Sequence, residues 1–137
     1  MVRKSNLISM LSAAIMLPAL CSAHAETASL RPHAENLQAS ERVIALAIMA
    51  QGEKELAQEA KKTLKAAEDL TKLPDSEEVR NCTLAGARLT LIAIYSAQGR
   101  SPSILLEVAQ KRRDYAYFMG VCEQAVGLAL PAAPNLR

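Results

Sequence analysis

The hydrophobic positions of the chain recur every three or four residues from residue 40 onward, which is the spacing of one face of an α-helix. A first helix is predicted to begin at Ser40, a suitable N-cap, with Glu41 in its first turn. Its segment Val43–Met49 is apolar almost all round, so it is expected to be either core or an interface. Gly52 is expected to end or kink this helix.

Two further helices are predicted between residues 53 and 98. The first is amphipathic, with lysines and glutamates opposite its apolar positions, and it ends before Pro74. The second follows Asp75, where Glu78 three residues later gives a pair that resembles a capping box. It is expected to run to about Gln98, because Gly99 suits a left-handed helix stop.

A fourth helix is predicted from Ser101 as N-cap and Pro102 at the first helical position, and it should fade near Gly127. No stretch alternates apolar and polar residues as a strand would, and the alanine- and leucine-rich composition favours helices. The expected fold class is all-α, a small bundle of about four helices over residues 39–128. A flexible arm is expected at 26–38 and a flexible tail at 129–137.

Residues 1–25 have the pattern of a bacterial signal peptide. Arg3 and Lys4 give a basic start, an apolar run covers residues 7–20, and Ala23-His24-Ala25 is the small-x-small pattern that signal peptidase cleaves after. We expect cleavage after Ala25 and export to the periplasm or the medium. Removal of 25 of the 137 residues leaves 112, which fits one small domain.

Two other interpretations of the N-terminus are less favoured by the residues. A retained membrane anchor needs about 20 apolar residues, and this run is shorter and is interrupted by Pro18. A lipoprotein would carry a small residue directly before its modified cysteine, but Leu20 precedes Cys21. The mature chain is therefore expected to have no stable membrane anchor.

Cleavage also changes the charge balance. Arg3 and Lys4 leave with the signal peptide, so the 16 Lys and Arg become 14, against 14 Asp and Glu. Binding to nucleic acid or anionic lipid needs a concentrated excess of positive charge. The one basic run, Lys111-Arg112-Arg113, is followed at once by Asp114. Nucleic acid is therefore not an expected partner.

Export leaves two cysteines, Cys82 and Cys122, because Cys21 is removed with the signal peptide. An even count in an oxidising compartment predicts one disulfide bond. If the third and fourth helices form an antiparallel hairpin, the two sulfurs lie about one helical turn apart along its axis. The bond is thus expected to join the open end of the hairpin. No spacing of the CxxC or CxxCH type suggests a metal, redox or haem site.

No catalytic constellation is evident in the sequence. His33 is the only histidine after residue 25 and lies in the expected arm, where nothing orients it. There is no phosphate-binding glycine loop and no G-x-S-x-G motif. The carboxylates at 75, 77 and 78 lie where a helix start favours negative charge. We interpret the chain as a non-enzyme without a metal or cofactor.

Two functions remain open. The first is an exported interaction protein, such as an inhibitor, an immunity-type protein, an adaptor or an assembly factor. Aromatic and arginine side chains are typical of interface centres, and residues so close together on a helix cannot all face the same side. The alternative that the aromatic side chains are all core or half-buried stays open. The candidate interaction surface consists of Arg112, Arg113, Tyr115, Tyr117 and Phe118. The alternative is a carrier of a small apolar ligand bound between the helices. A homodimer through Val43–Met49 also stays open.

Overall fold

The structure is a computed structural model that describes residues 18–137, with side chains from residue 27 onward. This part of the chain forms four α-helices and no strand: α1 Pro18–Ala50, α2 Glu53–Leu70, α3 Glu77–Ala97 and α4 Pro102–Val126. The predicted all-α bundle is confirmed. Residues 1–17 of the expected signal peptide lie outside the described residues, and cleavage after Ala25 stays a prediction. None of the described helices combines the length and the apolar character needed to span a membrane.

Residues 26–38, which were expected to form a flexible arm, belong to α1. The buried side chains of this part, Leu30, Ala34 and Leu37, lie on the same face of α1 as the buried Glu41 and Ile44 that follow. Their spacing of three and four residues is that of one helical face, so a single long helix buries all of them. The predicted start at Ser40 is therefore too late. A proline at position 32 and a carboxylate in the middle of the buried series concealed the continuity of the helix.

Two hydroxyl caps fix where the later helices begin. The Ser76 hydroxyl accepts a hydrogen bond of 3.1 Å from the amide of Val79, so Ser76 caps α3 instead of the predicted Asp75. The Ser101 hydroxyl caps α4, whose first residue is Pro102, as the sequence predicted. Each cap satisfies an amide that has no partner inside its helix.

Within residues 18–137, three residues with positive φ lie at the helix ends. Gly99, with φ of 118°, turns the chain between α3 and α4, and Gly127, with φ of 70°, ends α4. Both positions agree with the sequence prediction, because only glycine adopts this region without strain. Between α1 and α2 the positive φ of 56° belongs to Gln51, while Gly52 has an ordinary φ of −80°.

α3 is the central helix of the bundle. It packs along both α2 and α4, which do not approach each other within the described residues, and α1 packs against all three. A hydrogen bond of 2.8 Å between the buried hydroxyls of Thr90 and Thr63 joins α3 to α2. The bundle therefore presents α1 and α4 as neighbours, and this contact contains the candidate site.

A disulfide bond joins Cys82 in α3 to Cys122 in α4, as predicted. Both cysteines are fully buried, and their Cα atoms are 4.9 Å apart. The 40-residue separation makes this cross-link worth on the order of 4 kcal/mol in the chain-entropy model. Since the turn around Gly99 closes the other end of the hairpin, α3 and α4 are held together at both ends.

Residues 129–137, which were expected to form a flexible tail, pack back onto the bundle. Leu136 is buried in the core, and the side chain of Arg137 is only 8% exposed. The segment contains no helix or strand, so its position depends on side-chain and backbone contacts with α1 and α4. Those contacts define the site described next.

Candidate functional site

Charged side chains are buried between α1, α4 and the C-terminal segment. Glu41 on α1 and Glu123 on α4 are both buried, and the guanidinium of Arg137 lies between them. Arg137 Nη2 lies 2.7 Å from Glu41 Oε2 and 2.6 Å from Glu123 Oε1. Arg137 Nη1 lies 2.7 Å from Glu123 Oε2. We call this group, together with Tyr115, the arginine cluster.

Both oxygens of Glu41 have further donors. Oε1 accepts a hydrogen bond of 2.9 Å from the amide of Leu136 and one of 3.1 Å from Arg137 Nε. Oε2 accepts a hydrogen bond of 3.0 Å from the hydroxyl of Tyr115. Burial of a carboxylate is costly unless it is paired and hydrogen-bonded. The four hydrogen bonds to Glu41 therefore explain how this carboxylate is tolerated in the core.

Two polar side chains fasten the C-terminal segment on either side of the cluster. Gln38 of α1 donates through Nε2 to Glu123 Oε1 at 2.8 Å and to the carbonyl of Ala129 at 2.9 Å. Arg112 of α4 donates through Nε to the carbonyl of Leu136 at 2.8 Å. The segment is thus held by both helices, and its backbone takes part in the site.

The surroundings of Arg137 and Tyr115 shift the pKa values of both side chains upward. Burial alone would lower the pKa of Arg137, but the hydrogen bonds to Glu123 and Glu41 outweigh that effect and raise the pKa above its ordinary value. Burial, assisted by the negative charge of Glu41, raises the pKa of Tyr115 well above its ordinary value. The guanidinium therefore stays charged and the phenol stays a donor. The guanidinium carbon also lies 5.4 Å from the centroid of the Tyr115 ring.

Tyr115 was predicted to belong to an exposed interaction surface, and the structure corrects this. Its side chain is fully buried, and so is Met119 four residues later on the same face of α4. Tyr117 points the other way and is 67% exposed. Tyr115 therefore belongs to the arginine cluster.

The other four residues of the predicted surface separate into two groups. Arg113 and Tyr117 are exposed and lie one turn apart on α4, and Phe118 is half-buried with its ring edge-on to Tyr117 at 5.3 Å between centroids. Arg112 is also exposed, but it holds the C-terminal segment through its bond to Leu136. The structure thus brings Arg113, Tyr117 and Phe118 together and assigns Arg112 a different contact.

The block Val43–Met49 is both core and surface. Its inward side chains Ile44, Ala45 and Ala47 are buried, whereas Val43, Leu46 and Met49 are exposed. We call Val43, Leu46, Met49 and Ala50 the apolar stripe. A shallow groove of about 450 Å³ separates this stripe from the start of α2. The groove is lined by Val43, Leu46, Ala47, Ala50, Gly52 and Glu55.

A second concavity, of about 410 Å³, lies at the end of the bundle that contains the α1–α2 and α3–α4 turns. Its apolar walls include Ile48, Leu56, Leu105 and Val108. Arg100 and Arg112 also line it, and Arg100 donates through Nη2 to the carbonyl of Ile48 at 3.1 Å. This cleft combines an apolar interior with two cationic side chains and the carboxylate of Glu53.

His33, expected in a mobile arm, lies on α1 and is half-buried. Within residues 27–137, no three His, Cys, Asp or Glu side chains lie close enough together to hold a metal ion. Comparison of the chain with protein-family models, curated proteins and solved structures gave no match. The functional argument therefore rests on the cluster and the surfaces described above.

Sequence reasoning missed three residues of the arginine cluster, Glu41, Glu123 and Arg137. The burial of the two glutamates could have been predicted from their positions in the sequence. Glu41 lies four residues after the apolar Leu37, and Glu123 lies four residues after Met119, so both occupy the buried faces of their helices. A carboxylate at such a position indicates a buried polar network, because an unpaired charge is rarely buried.

Proposed function

We propose that this chain is an exported helical protein that acts by binding another protein, as an inhibitor, immunity-type protein, adaptor or assembly factor does. The observation that carries the proposal is the apolar stripe on α1. Leu46 is 46% exposed and Met49 is 72% exposed, although the opposite face of the same helix is fully packed. Contiguous exposed apolar side chains on a folded domain are typical of a protein-binding site, because covering them removes apolar surface from water.

The exposed side of α4 supports the same function. Arg113 and Tyr117 lie on it one turn apart, with Phe118 against Tyr117. Tyrosine and arginine are enriched among the residues that dominate binding energy. The disulfide and the arginine cluster hold α1 and α4 in place, so little ordering is required when a partner binds.

Two features support a location outside the cytoplasm. Residues 1–25 have the signal-peptide pattern, and the Cys82–Cys122 bond is of a kind that persists in oxidising compartments. We therefore propose that the protein meets its partner in the periplasm or the medium. Binding, without catalysis of a reaction, is the activity that we assign to it.

The test is native mass spectrometry of the tagged chain, recovered from the periplasm of its own host, with two matched variants. Leu46→Glu alters the apolar stripe, and Leu64→Glu places the same charge on α2, where the leucine is 50% exposed. We expect a second polypeptide in fixed ratio with the wild type and with Leu64→Glu, and its loss with Leu46→Glu. All three proteins should melt at similar temperatures, since both sites are on the surface.

Three results would contradict this assignment of function or surface. If the wild type carries no other polypeptide, the function is wrong. If Leu46→Glu and Leu64→Glu retain the partner equally, the contact lies elsewhere, and Tyr117→Ala then tests the surface on α4. If the second polypeptide is another copy of the chain, the stripe is a homodimer interface.

The cleft of about 410 Å³ favours a second candidate function, a carrier of a small apolar ligand. Its occupant would be a largely apolar molecule with a polar group, because Glu53, Arg100 and Arg112 line the same cleft as the apolar side chains. The same mass spectrum tests this candidate. A retained small-molecule mass that disappears in Val108→Trp, which fills the cleft, would favour the carrier over the interaction protein.

A further inference from the structure

We infer that the site formed between α1 and α4 by Glu41, Glu123 and Tyr115 binds an arginine side chain carried on a peptide segment without helix or strand. Arg137 of the chain occupies this site, and a partner's arginine can bind there instead. The inference rests on the proposed function, because it names the chemistry of the partner. The arginine site and the apolar stripe lie on different faces of α1, so each can be altered and tested without the other.

The side chains that form this site come from the helices and not from the segment that they hold; the two glutamates accept hydrogen bonds, and Gln38 and Tyr115 donate them. Glu41 and Gln38 belong to α1, and Tyr115 and Glu123 belong to α4. The disulfide from α3 fixes Cys122, the residue next to Glu123. The carboxylates are therefore positioned by the helices, and the segment that follows α4 supplies the guanidinium.

The geometry selects a guanidinium over an ammonium group. Arg137 donates through Nε and Nη2 to the two oxygens of Glu41, at 3.1 and 2.7 Å. It donates through Nη1 and Nη2 to the two oxygens of Glu123, at 2.7 and 2.6 Å. Both carboxylates are thus held in fork-to-fork pairs, an arrangement that the planar guanidinium provides and the ammonium of lysine does not.

The site also recognises the backbone and the residue before the arginine. The Leu136 amide donates to Glu41 Oε1 at 2.9 Å, and its carbonyl accepts from Arg112 Nε at 2.8 Å. The Leu136 side chain is buried in the core cluster. A leucine–arginine pair in a segment without helix or strand makes all of these contacts, so a peptide from another protein can make them as well.

Charge complementarity identifies the occupant. With both carboxylates ionised, the cluster contains two negative charges and one positive charge, all of them buried. Without Arg137 the two carboxylates would have no cationic partner in the described structure of the cluster. The site therefore favours any segment that supplies a guanidinium, and the chain's own segment competes with the partner as a tethered ligand.

The test uses the full chain with the double substitution Leu136→Ala/Arg137→Ala, which removes both anchoring side chains. The probe is a synthetic peptide with the sequence of residues 131–137, titrated by calorimetry, and its control is the same peptide with Arg137→Lys. We expect the variant to bind the arginine peptide. Its affinity for the lysine peptide should be lower by a factor of about ten or more, since charged hydrogen bonds are lost. The wild type should bind the arginine peptide more weakly than the variant does. Equal affinities for the two peptides, or no binding by the folded variant, would overturn the inference.

A second measurement covers the case in which the double variant does not fold alone. The arginine peptide should then restore its helical circular dichroism, whereas the lysine peptide should not. Failure of the arginine peptide to restore helicity would also overturn the inference. Adding Glu123→Gln to the variant should weaken binding of the arginine peptide, because it removes one of the two paired carboxylates.

The last step concerns the partner and separates the two proposals. The arginine peptide, but not the lysine peptide, should displace the captured polypeptide from the wild-type chain. Capture that the arginine peptide leaves unchanged would overturn the inference and leave the proposed function standing. Peptide binding by the variant in a preparation without any captured polypeptide would support the site while contradicting the proposed function.

Discussion

Charged side chains are usually exposed and large apolar side chains usually buried, and the two sides of α1 break one of these rules each. Its inner side buries the carboxylate of Glu41, whereas its outer side exposes Leu46 and Met49. The carboxylate is stable in the core because Arg137 and Tyr115 satisfy it. The apolar stripe has no such partner within residues 27–137. The comparison teaches that a charged side chain is tolerated in the core where paired partners satisfy it, and that the exposed apolar side chains on the other side are available to a partner.

The two sides also differ in what a substitution should cost. A buried ion network contributes little net stability compared with a well-packed apolar core, but removal of one member leaves a charge uncompensated and is expensive. An exposed apolar side chain is in contact with water in both the folded and the unfolded state. Its replacement therefore changes the free energy of unfolding very little. The following predictions test this difference, from the largest effect to the smallest.

The largest effect is expected for Arg137→Ala. It leaves Glu41 and Glu123 buried without a cation, so the free energy of unfolding should fall by about 3–5 kcal/mol. Urea denaturation followed by circular dichroism measures the loss. Glu123→Gln is the control, because it leaves one carboxylate for one guanidinium, and it should cost only about 1–2 kcal/mol. Equal losses for the two variants would mean that the cluster is not a charge network.

Tyr115→Phe should have a smaller effect, about 1 kcal/mol at neutral pH, since it removes one hydrogen bond to Glu41. Because the pKa of Tyr115 is raised in the folded state above its ordinary value of 10.0, the associated stability is complete below pH 10 and is lost as the pH rises further. Denaturation at several alkaline pH values should show this loss in the wild type. The loss should be smaller in Tyr115→Phe, and an identical pH dependence in both proteins would contradict burial of the phenol.

The smallest effect on stability is expected on the outer side of α1. Met49→Gln should change the free energy of unfolding by no more than about 0.5 kcal/mol, because Met49 is largely exposed. Ile44→Gln is the matched control on the inner side, and it should cost about 2–5 kcal/mol through lost packing in the core. Thermal melts of both variants make the comparison, and a large loss with Met49→Gln would place that residue in a packed contact.

The parts of the fold that the sequence predicts well are those with local signals. Ser101 and Pro102 start α4, Gly99 precedes them in the turn, and the cysteine spacing fits the hairpin that these residues define. Each of these signals acts within a few residues or follows from helix geometry. The disulfide-linked hairpin was therefore predictable from the sequence alone.

The arginine cluster was not predictable in the same way, because its partners are distant in the chain. Glu41 and Arg137 are 96 residues apart, and no periodicity or cap relates them. The helical spacing places Glu41 on a buried face but does not say which cation reaches it. The same long-range contact orders residues 129–137, which in isolation have the composition of a frayed tail. On the exposed side, helical spacing allowed an outward aromatic residue but could not decide that it is Tyr117 and not Tyr115.

The order of the residues along the chain has a consequence for when the fold can be completed. Glu41 lies on the first helix, and its cation follows all four helices. Until residue 137 has been synthesised, Glu41 and Glu123 therefore have no guanidinium partner, although both lie on surfaces that are buried in the finished fold. The contact between α1 and α4 can therefore be completed only when residue 137 is present. Arg137 thus makes completion of the native bundle depend on the segment that follows α4.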